Sequence, residues 1–145
     1  MRFLCEFETK DLPVSYRMIF VSMIKDVLKR EDGSLYEELF TYGDGKKNKA
    51  TKSYTFAVLL RNPKIDGERI RFEGNVRWFF SSPDPKILIN VYNGLKRLNT
   101  FSYREEKLDL KKITLLPQKV IGDEIVVFKT LSPIHIKDKF RKTFK

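Results

Sequence analysis

Arg69-Ile70-Arg71-Phe72-Glu73-Gly74-Asn75-Val76-Arg77-Trp78-Phe79-Phe80-Ser81 reads as a long β-strand. Aromatic and β-branched residues dominate it, and Gly74 marks a bend or bulge. Alternation puts Trp78 and Phe80 on one face and Phe79 on the other. One face has to pack on helices, so most of these rings are assigned to the core and not to a base-stacking platform. Upstream, Ser53–Arg61 is a second strand pattern, followed by a turn over Asn62–Gly67. Downstream, Ser82-Pro83-Asp84-Pro85 opens a helix with the apolar face Ile87, Leu88, Val91 and Leu95, with Leu98 at its end.

The flanks complete the pattern. Arg2–Thr9 alternates as a half-buried strand, Phe3, Cys5 and Phe7 facing opposite to Arg2, Leu4 and Glu6. Pro13 stands where a helix opens, with Asp11 available as its cap. From Val14 to Arg30, Ile19, Phe20, Met23, Ile24, Val27 and Leu28 recur at helical spacing. Asp32-Gly33 ends that helix, and Ser34 caps a short second one through about Tyr42. Gly43–Lys52 holds four lysines and no large apolar residue, the composition of a mobile loop. Thr100–Leu116 is strand-like. Glu124–Ile136 is another strand pattern after the turn at Gly122-Asp123. The order predicts an α+β, ferredoxin-like β-α-β-β-α-β domain, its antiparallel sheet covered on one face by two helices, with an extra C-terminal strand.

Composition narrows the function. The chain has 145 residues, which suits one domain spanning 1–145. With 41% hydrophobic and 13% aromatic residues it buries a core. Its net charge of +10, from 29 basic and 19 acidic residues, makes nucleic acid the leading partner on charge. One cysteine, Cys5, forms no internal disulfide, fits a reducing cytoplasm and reads as a small apolar residue in a strand. No stretch approaches the roughly 18 apolar residues of a membrane span, and no signal peptide is evident, so a cytoplasmic location without a membrane partner is expected. One Cys and one His make no zinc site, and neither a phosphate-binding loop nor a nucleotide fingerprint is present. No metal and no cofactor is expected.

Four stretches, in order, resemble the N-terminal half of the CRISPR-associated repeat-cleaving endoribonucleases, the sixth Cas family. They are Leu12-Pro13 leading to Tyr16; Lys52-Ser53-Tyr54-Thr55-Phe56 after a lysine-rich loop; Trp78-Phe79-Phe80-Ser81-Ser82 leading to Asn93-Gly94-Leu95; and Lys129-Thr130-Leu131-Ser132-Pro133-Ile134. The resemblance implies two ferredoxin-like domains in tandem and metal-independent cutting of a repeat in a precursor CRISPR transcript. A 2′-hydroxyl attacks the neighbouring phosphate, and a histidine helped by a tyrosine and a lysine supplies acid–base catalysis.

Two departures shape what is expected here. Matching Leu35–Tyr42 to the helix that bears the family's histidine puts Phe40 or a neighbour at that place, and a phenyl ring transfers no proton. No histidine occurs before His135. The chain also ends at Lys145, so the second domain is expected to be absent. Tyr36, Tyr42 and Lys52 are the catalytic candidates that remain, Tyr42 with Lys52 as a pair for slow cleavage. Lys46, Lys47, Lys49, Lys52, Arg69, Arg71 and Arg77 are the candidates for RNA phosphates; Arg69, Arg71 and Arg77 share a face only if Gly74 carries no bulge. The lysine loop reads equally as a solvated loop, and the basic tail Lys137–Lys145 as an arm or a frayed end. The expected function is a CRISPR-pathway protein that binds repeat RNA or effector-complex proteins without cutting, as a virus-encoded competitor would. The alternatives are half of an active endoribonuclease and a basic domain for another RNA.

Overall fold

The structure, a computed structural model, describes residues 1–41, 43–118, 120–122, 125–127 and 129–130. Nine elements follow in chain order: β1 (Arg2–Glu8), β2 (Leu12–Pro13), α1 (Arg17–Glu31), α2 (Gly33–Phe40), β3 (Thr55–Asp66), β4 (Arg69–Ser81), α3 (Pro85–Leu98), β5 (Thr100–Tyr103) and β6 (Glu106–Leu116). All strand pairs are antiparallel, and the main sheet order is β3-β4-β1-β6-β5. This is the ferredoxin-like order that the sequence pattern predicts. Strand β4 is its spine: β3 pairs along one edge, while β1 and then β2 share the other.

One face of the sheet carries Phe3, Cys5, Phe7, Val76, Trp78 and Phe80, all buried beneath the helices with Phe20, Met23, Ile24, Ile87 and Val91. Trp78 and Phe80 are therefore core residues, and Phe79 projects from the opposite face beside Leu4. Gly74 adopts φ +69°, a conformation that favours glycine. Opposite it, β3 advances two residues (Leu59 to Arg61) while β4 advances four (Arg77 to Glu73). The extra length is even, so the alternation survives the bulge: Ile70, Val76 and Trp78 are buried and Arg71 and Arg77 exposed on either side of it.

Several boundaries differ from expectation for local reasons. Helix α1 starts at Arg17 and not near Pro13, because Leu12 and Pro13 pair with Ile70 and Arg69, and the Val14 N–H donates to the Glu68 carbonyl at 2.9 Å. Asp11 caps nothing; its carboxylate meets Arg69. Asp32, not Ser34, caps α2, accepting from the Leu35 N–H at 3.0 Å, and the Ser34 hydroxyl donates to the same carboxylate. Strand β3 runs through the expected Asn62–Gly67 turn as far as Asp66. A positive φ at Asn62 absorbs the irregularity, and Gly67-Glu68 make the turn. The single strand expected over Thr100–Leu116 folds into the β5–β6 hairpin, with Arg104 at φ 54° in its turn. Within the pattern at Glu124–Ile136, Ile125–Val127, Lys129 and Thr130 are not in a strand; its remaining residues lie outside the described ones, as do His135 and Lys137–Lys145.

Helix α3 begins as its Pro-Asp-Pro sequence demands, with the Asp84 carboxylate accepting from the Lys86 N–H at 2.8 Å. It crosses α1 at Gly94, where an added Cβ would lie 2.8 Å from the Cβ of Val27 and 3.0 Å from Glu31 Cγ. Arg97 and Glu31 close the same crossing with a paired contact at 3.0 and 3.1 Å. Gly94→Ala is therefore expected to destabilise the fold by about 1–3 kcal/mol through forced separation of the helices. Asn93→Ala, at an exposed neighbour, is expected to stay within about 0.5 kcal/mol. Urea denaturation of the pair checks this; equal midpoints would remove the packing argument.

Candidate nucleic-acid interface

Helix α2 places Tyr36 and Phe40 four residues apart, hence on one face, with ring centroids 5.2 Å from each other. That face turns toward α1, which presents two exposed lysines at the same spacing. Lys29 Nζ lies 5.8 Å from the Tyr36 ring centre and Lys25 Nζ 5.2 Å from that of Phe40. Lys52, from the end of the loop, reaches the same Phe40 ring at 5.6 Å. Two ammonium groups thus converge on one ring.

Asn48 is the centre of the loop's hydrogen bonding. Its backbone N–H donates to the Phe40 carbonyl at 2.8 Å, and its Nδ2 donates to the Glu38 carbonyl at 3.3 Å. Its Oδ1 accepts from the Ala50 N–H at 2.9 Å, and its own carbonyl accepts from Lys52 Nζ at 3.0 Å. A bridge between Thr41 and Lys47 and a turn at Gly45 (φ +80°) complete the loop. Between it and the helices lies a hollow of about 310 Å³, lined by Lys25, Tyr36, Phe40, Lys47, Asn48 and Lys49 together with Thr41 and Gly45. Among the described residues, no carboxylate and no imidazole lines it.

The electrostatics follow from the contacts. Partial burial, and then the charge of Lys25, hold the Lys52 ammonium below the ordinary lysine pKa. Among the described residues, Lys25, Lys29, Lys47, Lys49 and Lys52 make no ion pair. Elsewhere Arg30 meets Asp26 at 3.0 Å, Arg71 meets Asp66 at 2.8 Å and Lys86 meets Asp32 at 3.5 Å. Burial pushes the Cys5 thiol far above its usual range, which makes it an inert core residue. Among the described residues no group of three or more His, Cys, Asp or Glu is placed to hold a metal ion, and no helix is long and apolar enough to cross a membrane.

The candidates named from sequence separate into three places. Lys47 and Lys49 join Tyr36 in lining the hollow, and Lys52 reaches the Phe40 ring beside it; Lys46 stands next to them but is occupied by Asp44 at 2.9 Å. Arg69 and Arg71 lie at the tip of the β3–β4 hairpin, at the opposite end from Lys52. Arg69 is clamped by Asp11 and by both oxygens of Glu106, which raises its pKa further, and Arg71 is paired with Asp66. Arg77 is on the open face of the sheet, over the Phe79 ring at 5.5 Å. Tyr42 lies outside the described residues. Lys25, Lys29 and Asn48 were missed. The helical spacing of Lys25 and Lys29 to the apolar face was visible in sequence, but nothing there tells which side of α1 the second helix covers.

Solved structures share this fold. The chain superposes over 99% of its length on a CRISPR associated protein Cas6, with a TM-score of 0.65 and 22% identity. It superposes likewise on an RAMP protein binding different RNA substrates (TM-score 0.74, 21% identity) and on the product of a Cas6-related gene from Pyrococcus furiosus (0.72, 18%). It spans 60–61% of the length of those chains. No protein-family profile matches the chain, and no curated protein matches it by sequence.

Burial is the larger cause of the Lys52 depression, so removing the positive neighbour is expected to relieve part of it. Lys25→Gln will move the Lys52 pKa up toward the ordinary lysine value, and Lys29→Gln will move it less. A lysine side-chain NMR titration reads both; an unmoved Lys52 in the Lys25→Gln protein would show that the two ammonium groups do not sense each other.

Proposed function

We propose that this chain binds the backbone of single-stranded CRISPR repeat RNA at the Lys25–Phe40–Lys52 hollow and does not cut it. The convergence of two unpaired ammonium groups on one phenyl ring carries the reading. Such an arrangement repels itself when empty and is relieved by an anion, and a phosphodiester is the anion that a strongly basic domain of this fold meets. Lys47 and Lys49 supply further cations at the rim, and Tyr36 offers a ring for a base or a hydroxyl for a phosphate oxygen.

Cleavage needs a group that takes the 2′-hydroxyl proton and one that returns a proton to the leaving 5′-oxygen. Lys52 is suited to stabilising negative charge on the phosphorane. The family resemblance puts Phe40 or a neighbour where an imidazole would act, and the described residues lining the hollow include no histidine. A chain that grips the repeat and leaves it whole would compete with a processing enzyme for RNA or for its seat among effector proteins, which is how an antagonist would work.

Replacing both Lys25 and Lys52 with Gln is expected to weaken binding of labelled repeat RNA at least tenfold. The slope of log affinity against log salt should shrink by about 1.4, two contacts at roughly 0.7 each for a single strand. Unchanged affinity would end the backbone-binding reading. Incubated with the repeat in EDTA, the unaltered protein should leave the RNA intact; a unique cut would overturn the non-cleaving part.

A pH dependence follows with a defined sign. A bound phosphate favours the ammonium form, so the Lys52 pKa is higher in the complex than in the free protein. Affinity is then full below the free-state pKa and falls as pH rises through it. Because that pKa is depressed, the fall should begin at lower pH than in the Lys25→Gln protein, which fluorescence anisotropy across alkaline pH will detect.

A further inference from the structure

We infer that the hollow is one end of a track for an extended single strand, which continues along α1 to Arg17. The inference rests on the RNA-binding reading above and adds a second contact point. Arg17, Val21, Lys25 and Lys29 follow one another at four-residue steps, the spacing of a helix ridge. At 1.5 Å per residue, Lys29 and Lys25 are separated by about 6 Å along the axis, and Lys25 and Arg17 by about 12 Å. Steps of one and two such units suit the repeat of a polymer that bears one charge per residue.

Three observations distinguish this ridge from an ordinary solvated face. Arg17 repeats the motif of the hollow, its guanidinium lying 5.5 Å from the centre of the Phe56 ring, as Lys25 and Lys29 lie over Phe40 and Tyr36. Each cation is thus seated over an aromatic ring and makes no ion pair among the described residues. Asp26, the acidic residue next to Lys25 in sequence, turns to Arg30 instead, at 3.0 Å. The four-residue repeat of like charges disfavours the bare helix, and a bound polyanion removes that repulsion.

The ridge suits one strand and not a duplex, because a single row of cations faces outward and the hollow is of nucleotide size. Val21, half-buried, stands on the ridge between the cations and the exposed Met18 follows Arg17, so an anionic membrane is the alternative that the test separates.

The test compares oligouridylates of roughly four and roughly twelve nucleotides, within the range of single-strand site sizes, by fluorescence anisotropy. Arg17→Ala should weaken the longer oligomer roughly three- to tenfold and lower its salt slope by about 0.7. The shorter one, held at the hollow, should be unaffected, and Arg17→Lys should retain most of the affinity. Equal loss for both lengths, or none for the longer, overturns the track. So would Arg17-dependent sedimentation with phosphatidylserine vesicles as strong as with the oligomer. Loss of all binding in the Lys25→Gln, Lys52→Gln protein, with no effect of Arg17→Ala, would leave the hollow and remove the track. An Arg17 effect that persists when the two lysine substitutions change nothing would remove the hollow and leave the ridge.

Discussion

Trp78 is the contact on which the rest of this molecule depends. Its ring centre lies 5.4 Å from that of Phe80, 6.0 Å from Phe3 and from Phe20, 6.2 Å from Phe56 and 6.3 Å from Phe7. Those five rings come from β1, α1, β3 and β4, so one indole joins three neighbouring strands to the first helix. Aromatic pairs add about 0.5–1.5 kcal/mol each beyond the area they bury. The larger effect is positional. Phe20 stacked on Trp78 at 14° sets the roll of α1, and that roll decides which side chains of α1 point away from the sheet.

The interface follows from that roll. With Phe20, Met23, Ile24 and Val27 inward, Lys25 and Lys29 are exposed on the side where α2 packs. Phe56, itself against Trp78, is the ring over which Arg17 rests. The hydrophobic core and the basic surface therefore meet: Phe56 belongs to the aromatic cluster, and Tyr36 and Phe40 are partly buried against the core. This gives the cations defined positions without the carboxylates that would neutralise them.

The two ends of the β3–β4 hairpin are handled oppositely. At its tip, Arg69 gathers Asp11 and Glu106 and so ties β2 and β6 to β4, a structural use of a positive charge. At its root, beside Lys52, positive charges are left uncompensated. Ser82, buried there, donates to the Ser53 carbonyl at 2.6 Å and accepts from the Asp84 N–H, joining the end of the lysine loop to the start of α3. Near it, Phe40 offers its ring to Lys25 and Lys52.

The sequence by itself determined the order of the ferredoxin-like elements, the alternating faces of β1 and β4, the apolar faces of α1 and α3, the helix opening at Ser82–Pro85 and the irregularity at Gly74, because period and turn chemistry are local properties. It also pointed to Tyr36, Lys47, Lys49 and Lys52, since an uncompensated lysine loop after a short helix is visible as composition. Only the tertiary structure decided which cations act together. Arg69 and Arg71 look as available in sequence as Lys25, and their partners Asp11, Glu106 and Asp66 become neighbours only through strand pairing. Asn48 was silent for the same reason, its bonds to Phe40 and Glu38 spanning the turn of the loop. The β5–β6 hairpin escaped because Arg104 occupies a positive-φ turn position that glycine or asparagine would have announced. Charge is written in the chain, but its neutralisation is a matter of distance, and distance is set by the packing around Trp78.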